Sequence, residues 1–207
     1  MTNETIRIAT GMRLGINICE PHLCPCGKQV ESRRIQGLSC RHSAARISRH
    51  NMVNDIIWRA MQRAKIPAAK KPPGLLRSDN KRSDGVMLIP WKQGKCLAWV
   101  RQCLIPMRNH ICQHTATNVG HAADKSAVSK SQKYQSIMRT HLFTPIAIET
   151  AGVWNSQARE FIKELGKRIT TVSGKIKETS YIFQQVSVAI QRDNMLSFIG
   201  SFTTDTD

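Results

Sequence analysis

A mixed α/β fold of the α+β kind, a core sheet flanked by helices behind a Cys-rich N-terminal segment, follows from three observations on this sequence. Two apolar segments, 86–91 and 96–100, flank the polar turn Lys92-Gln93-Gly94-Lys95, the pattern of a β-hairpin. Apolar residues recur at helical spacing over 52–65, 156–172 and 179–191. Ahead of these, residues 19–50 are rich in Cys, His and Arg, rich in turns and nearly without periodicity.

In chain order, residues 1–18 carry Ile6, Ile8, Met12, Leu14, Ile16 and Ile18 at ambiguous spacing, with no capping signal to open them. Asn51 or Asn54 suits the cap of a helix over 52–65 that turns Val53, Ile56, Ile57, Ala60, Met61 and Ala64 inward. Pro67 ends it, and Lys70-Lys71-Pro72-Pro73-Gly74 breaks the chain before the hairpin. Residues 104–135 are polar, either a loop or a poorly specified helix ending at Tyr134. The segment 143–150 predicts a short buried strand. A helix over 156–172 follows, with Phe161, Ile162, Leu165, Ile169 and Val172 inward and Gly174 as its stop. Thr179 or Ser180 opens the last helix, which runs to about Gln191 and buries Ile182, Val186, Ala189 and Ile190. Three units are expected: a Cys/His-rich segment over 1–50, a main domain over 51–199 and a frayed tail over 200–207.

Charge is the strong bulk signal. The chain has a formal net charge of +17, and seventeen Lys or Arg against four acids fall between Lys28 and Arg101. Such a surface attracts polyanions, because each neutralised phosphate releases condensed counterions. Nucleic acid is the expected partner, with Arg41, Arg46, Arg49, Lys81 and Arg82 as candidate contacts. The first 18 residues hold Arg7, Arg13 and no continuous apolar run, so neither secretion nor membrane insertion is expected. The expected location is intracellular; the nucleus is left open, as the sequence holds no clear nuclear import signal.

Seven cysteines do not pair evenly, which favours metal ligation or burial over a disulfide framework. Cys24-Pro25-Cys26-Gly27 is a tight bend that offers two thiolates to one metal, and Cys40 and His42 return later as a second pair. Zinc takes four N or S ligands in a tetrahedron, so Cys24, Cys26, Cys40 and His42 form the candidate set, with His50 or Cys19 as substitutes. Cys96, Cys103 and Cys112 show no metal spacing and are assigned to packing.

The hairpin carries the catalytic question. Asp84 follows the basic pair Lys81-Arg82 and enters the apolar strand, where metal-dependent nucleases present a first carboxylate. A second carboxylate on the returning strand would complete a divalent-metal site, yet that strand offers Val100, Arg101 and Gln102.

Several stretches, in order and spacing, resemble the C-terminal region of non-LTR retrotransposon polyproteins. They include 8–15, the knuckle Cys24-Pro25-Cys26-Gly27, Gly37-Leu38-Ser39-Cys40, 54–59, 76–85, Lys133-Tyr134, 148–153, 164–169 and 189–192. The resemblance implies a Cys/His knuckle followed by a restriction-endonuclease-like PD-(D/E)xK core that nicks DNA with Mg²⁺. It places Asp84 at the first metal carboxylate, with Ser83 where the family has Pro, and Val100 where the second carboxylate follows Trp99. It puts Gln36 at the knuckle His and Lys71 at an acid, and makes Lys133 the basic member of the site.

One carboxylate holds Mg²⁺ weakly, so the expectation is a retroelement-derived nucleic-acid-binding protein with impaired catalysis and a DNA partner ahead of RNA. No membrane and no small-molecule cofactor are expected. Two alternatives stay open. In one, an active endonuclease recruits Asp79 or Glu149, although Asp79 also suits a turn and Glu149 an ordinary pairing acid. In the other, the chain is a basic interaction module without enzymatic activity.

Overall fold

Gln93 and Gly94 both take left-handed backbone (φ 51° and 70°), which lets the chain reverse between Lys92 and Lys95 and closes the predicted hairpin. The computed structural model describes residues 2–32, 38, 40, 45–73, 75, 82–104 and 119–202, with the backbone alone at 45–47 and 50. Its elements run α1 (Asn3–Leu14), β1 (His22–Leu23), β2 (Gln29–Val30), α2 (Ala45–Arg63), β3 (Ala68–Lys70), β4 (Gly85–Met87) and β5 (Leu97–Leu104). They continue as α3 (His121–Lys133), α4 (Gln135–Met138), β6 (Leu142–Glu149), α5 (Ser156–Ser173) and α6 (Glu178–Ile199).

The main sheet has the order β3-β4-β5-β6. Its first two pairings are antiparallel and β5–β6 is parallel, a direction that needs a crossover, which α3 lies on. Side chains alternate across the sheet, so its two faces bury different clusters. Met87, Trp99, Ile146 and Ile148 join α2, α5 and α6 in the large core. Val86, Ala98, Val100 and Phe143 pack on the opposite face against Tyr134 and Ile137 of the α3–α4 segment. The fold is therefore mixed α+β, with helices on both faces of a four-stranded sheet.

The two long C-terminal helices sit where periodicity placed them, with adjustments that have physical causes. Phe161, Ile162, Leu165 and Ile169 are buried and Gly174 closes α5 at φ 72°, but Val172 lies in the last exposed turn. Helix α6 continues past Gln191 because Asp193, Asn194, Ser197 and Phe198 are buried there. The polar run looked like a helix end, yet Gln191 and Asn194 both donate to the Thr150 carbonyl. The tail is not frayed at its start. Ser201 is buried and Phe202 stacks on His22 at 4.0 Å, while 203–207 lie outside the described residues.

At the other end, the Thr2 hydroxyl accepts from the Thr5 N–H, a cap that sequence inspection missed. Helix α2 starts before 51 and runs through the expected 50/51 boundary. The Lys-Pro break hides β3, whose Ala-Ala-Lys has no strand propensity and is held instead by β4 and by the Trp58 indole on the Ala68 carbonyl. Strand β6 is an edge and tolerates Pro145, because no neighbour there needs its missing N–H. Asn155 occupies the Ala147 N–H and carbonyl, and Gln157 the Phe143 carbonyl, so that edge is covered.

Gly85 pairs directly with Trp99, and a Cβ at Gly85 would lie 2.0 Å from the Trp99 ring. Only a residue without a side chain lets the indole lie across β4. Gly85→Ala should therefore cost about 1–3 kcal/mol of stability through overpacking. Urea denaturation followed by Trp fluorescence checks it; an unchanged midpoint would contradict this packing.

Candidate metal centre and the Asp84 hairpin

The short β1–β2 hairpin exists to present its tip. Cys24 donates its N–H to the Lys28 carbonyl (2.9 Å), and Gly27, at φ 78°, donates back to the Cys24 carbonyl (2.8 Å). This turn points Cys24 and Cys26 the same way, and Cys40 joins them, with all three sulfurs within 4.8 Å of one another. Among the described residues no other three His, Cys, Asp or Glu side chains converge in this way.

The donor set fits a thiolate-bound metal. Tetrahedral zinc with Zn–S near 2.3 Å would set sulfurs about 3.8 Å apart, and Cys24 and Cys40 lie at 3.7 Å. The Lys28 N–H leads in holding Cys26 below the ordinary thiol range, as a backbone donor to a metal-bound sulfur would. Burial leads in pushing Cys24 up to about 11 in the metal-free state, a cost that a cation would relieve.

Of the other proposed ligands, His42 lies outside the described residues, as does the His50 side chain. Cys19 is not part of the centre: it packs with Ile8, Ile18 and Phe198. Cys103 is partly buried beside Arg101, its thiol raised chiefly by burial, and serves packing as expected.

Asp84 enters β4 one residue before Gly85, so the Gly85–Trp99 pairing sets it across from Val100. Its N–H donates to the Trp99 carbonyl (2.9 Å), and its carboxylate accepts the Arg101 N–H at 2.6 Å. The Asp84 carbonyl accepts from Lys71 N–H and from the Asn54 carboxamide. Val100 is 4% exposed and sits in the apolar cluster with Val86, Tyr134 and Phe143. The place opposite the acid is filled with hydrocarbon.

Of the remaining site candidates, Glu149 does not join Asp84. Val100 pairs with Pro145, and Glu149 lies four residues further along β6 beside Leu104, which is roughly 13 Å along the strand. Glu149 is buried and faces the start of α3, accepting the Ala123 N–H at 3.3 Å. Lys133 is exposed in the last turn of α3.

Among the basic residues, Arg82 is exposed, Arg41 and Lys81 lie outside the described residues, and the Arg46 side chain is likewise outside them. Arg49 is a correction. It is buried, with its guanidinium donating to Asn194 (2.9 Å), Ser197 (3.0 Å) and the Leu38 carbonyl (3.3 Å), and so is committed to holding α2 on α6.

Two residues of the hairpin's surroundings escaped sequence reasoning. Arg101 reads as a surface cation, yet it is 3% exposed on the core face, where burial lowers its pKa and Nε and Nη2 have no hydrogen-bond partner among the described residues. Asn54 reads as a helix cap, yet it lies inside α2 and joins Trp99 to Asp84. A mid-helix Asn on the apolar face was the only available signal.

No protein-family model matches this chain, and no curated protein matches it.

Two measurements follow. Co²⁺ should bind as a single ion per chain with thiolate charge-transfer absorption, and Cys40→Ser should weaken it by about 10–100-fold; an unchanged spectrum would remove Cys40 from the centre. Burial is also the first cause raising the Glu149 carboxyl above its ordinary 4.5, with the Asp124 charge adding and the Ala123 N–H opposing. The folded value then exceeds the unfolded one, so its stabilising contribution is complete below about 4.5 and is lost as pH rises through the folded value. Glu149→Gln should flatten the fall in stability above that pH and be the more stable form at pH 7. Denaturant midpoints across pH 4–8 test this.

Proposed function

We propose that the chain is a retroelement-type nucleic-acid-binding protein on a restriction-endonuclease-like sheet that does not cleave, with zinc in its Cys24–Cys26–Cys40 knuckle. The observation that carries the loss of cleavage is Val100, buried across the strand pair from Asp84 among Val86, Tyr134 and Phe143. Phosphodiester hydrolysis needs carboxylates that hold Mg²⁺ against the substrate phosphate. Here one acid faces an apolar surface, and a backbone N–H already occupies one of its oxygens.

Binding rests on charge and tolerates that loss. Lys65, Lys71, Arg82, Lys92 and Lys95 are exposed on or around the sheet and hairpin of this region. Their attraction to a phosphate backbone needs no ångström-level placement. DNA is the favoured polymer because the likeness is to a DNA-nicking domain. No helix among the described residues is long and apolar enough to cross a membrane.

The second reading, an active endonuclease that recruits another acid, is weakened for Glu149 by its position beside Leu104 and its contact with α3. Asp79 lies outside the described residues.

Two assays on the full chain decide between these readings. Duplex DNA affinity should fall steeply between 50 and 200 mM salt, on the order of 10³-fold if six or more phosphates are contacted. Supercoiled plasmid should stay intact with Mg²⁺ or Mn²⁺. Salt-insensitive binding would overturn the nucleic-acid reading, and metal-dependent nicking that Asp84→Ala abolishes would establish the active endonuclease instead.

A further inference from the structure

Helix α6 is apolar on two sides. Ile182, Val186 and Ile190 enter the core, while a second row, Tyr181, Val188 and Leu196, stays 48%, 42% and 49% exposed. Met52 and Ile56 of α2 face the same space. Together they floor two contiguous clefts of about 580 Å³ each, which share Met52, Ile56, Tyr181 and Gln185.

The rim is basic. Arg59, Lys175 and Lys177 line one end and Arg192 the other. The acids that line the same clefts are engaged: Glu178 pairs with Arg63, Asp55 with Lys70, and buried Asp193 accepts from Ser48. Arg59, Lys175 and Lys177 form no ion pair among the described residues. The surface is thus an apolar trough whose uncompensated charge is positive.

We propose that this groove between α2 and α6 docks an acidic amphipathic helix of another protein. From Tyr181 to Leu196 the trough follows sixteen residues of α6, about 22 Å, or four turns of a partner helix. A partner with apolar residues at i, i+3, i+4 and i+7 fills the floor, and Asp or Glu on its flanks meets the rim. Charge complementarity selects this occupant. A second copy of the chain would bring the same cations face to face in a molecule of net charge +17. Single-stranded nucleic acid wants flat stacking faces, whereas this floor is aliphatic except for Tyr181, which already carries the Arg63 guanidinium at 5.2 Å.

The test uses the full chain and a fluorescent peptide of about twenty residues with Leu along one helical face and Glu elsewhere. Its controls are a scrambled peptide of the same composition and a version with Lys for Glu. The first should bind saturably, and both controls at least about tenfold more weakly. Val188→Glu and Lys177→Glu should each weaken it about tenfold, while thermal unfolding and salt-dependent DNA affinity stay as in the wild type. Equal binding of the scrambled peptide, or no effect of Val188→Glu on a folded chain, overturns the proposal. So does a loss of DNA affinity in Val188→Glu and Tyr181→Ala, which would make the groove a nucleic-acid surface. A dimer that Val188→Glu dissociates would make the occupant a second copy, and also overturns it.

Discussion

One buried carboxamide joins the two strands of the hairpin to helix α2. Asn54, buried inside α2, accepts the Trp99 indole N–H at 2.8 Å and donates to the Asp84 carbonyl at 3.2 Å. It thereby ties both strands of the hairpin to a helix of the large core. A buried amide left unpaired would cost about 1–3 kcal/mol, so the arrangement is all or none: either the indole and the carbonyl both arrive, or Asn54 is a liability. Gly85 makes the arrival geometrically possible by leaving room for the ring, and Lys71 reinforces it with a second donor to the same carbonyl. The joint spans the β4–β5 pairing that sets Asp84 across from Val100.

How much of the fold was legible follows from where its stabilisation is periodic. Helices α5 and α6 bury Leu165, Ile169, Ile182 and Val186 at helical spacing, and the pattern shows through in the sequence. The hairpin turn was equally plain because Gln93 and Gly94 need left-handed backbone. Strand β3 was not legible, since three small or charged residues become a strand only when β4 lies beside them. Nor was the C-terminal half of α6, where Asp193, Asn194 and Ser197 are buried by partners on α2. Polar residues inside a core defeat any pattern that equates polarity with exposure.

The same effect divides the candidate site. Three of the four proposed metal ligands could be named from the sequence because the hairpin tip and its turn glycine are local, and Cys40 needs only a return of the chain to them. The basic residues were a poorer guide. Two arginines from the densest basic stretch, Arg49 and Arg101, are internal, one bonded to α6 and one with two nitrogens that find no partner among the described residues. Net charge therefore overstates what a polyanion meets on this face. Burial of a guanidinium costs several kcal/mol before its hydrogen bonds return anything, and such groups are kept where they fix the position of helices rather than where they meet ligand.

Position 100 shows how the packing of the sheet limits what can stand across from Asp84. A metal-binding carboxylate there would need water or a cation at its oxygens, yet its neighbours Val86, Tyr134, Ile137 and Phe143 form a closed apolar cluster. Placing an acid among them would incur the desolvation penalty unless the cluster opened. Opening it would in turn loosen α3 and α4, which meet the sheet partly through Tyr134 and Ile137. Hydrocarbon at Val100 lets the sheet close on that face, and the Arg101 N–H gives the Asp84 carboxylate a hydrogen-bond partner. The helices of that face are thus secured by the same valine that sets hydrocarbon across from Asp84.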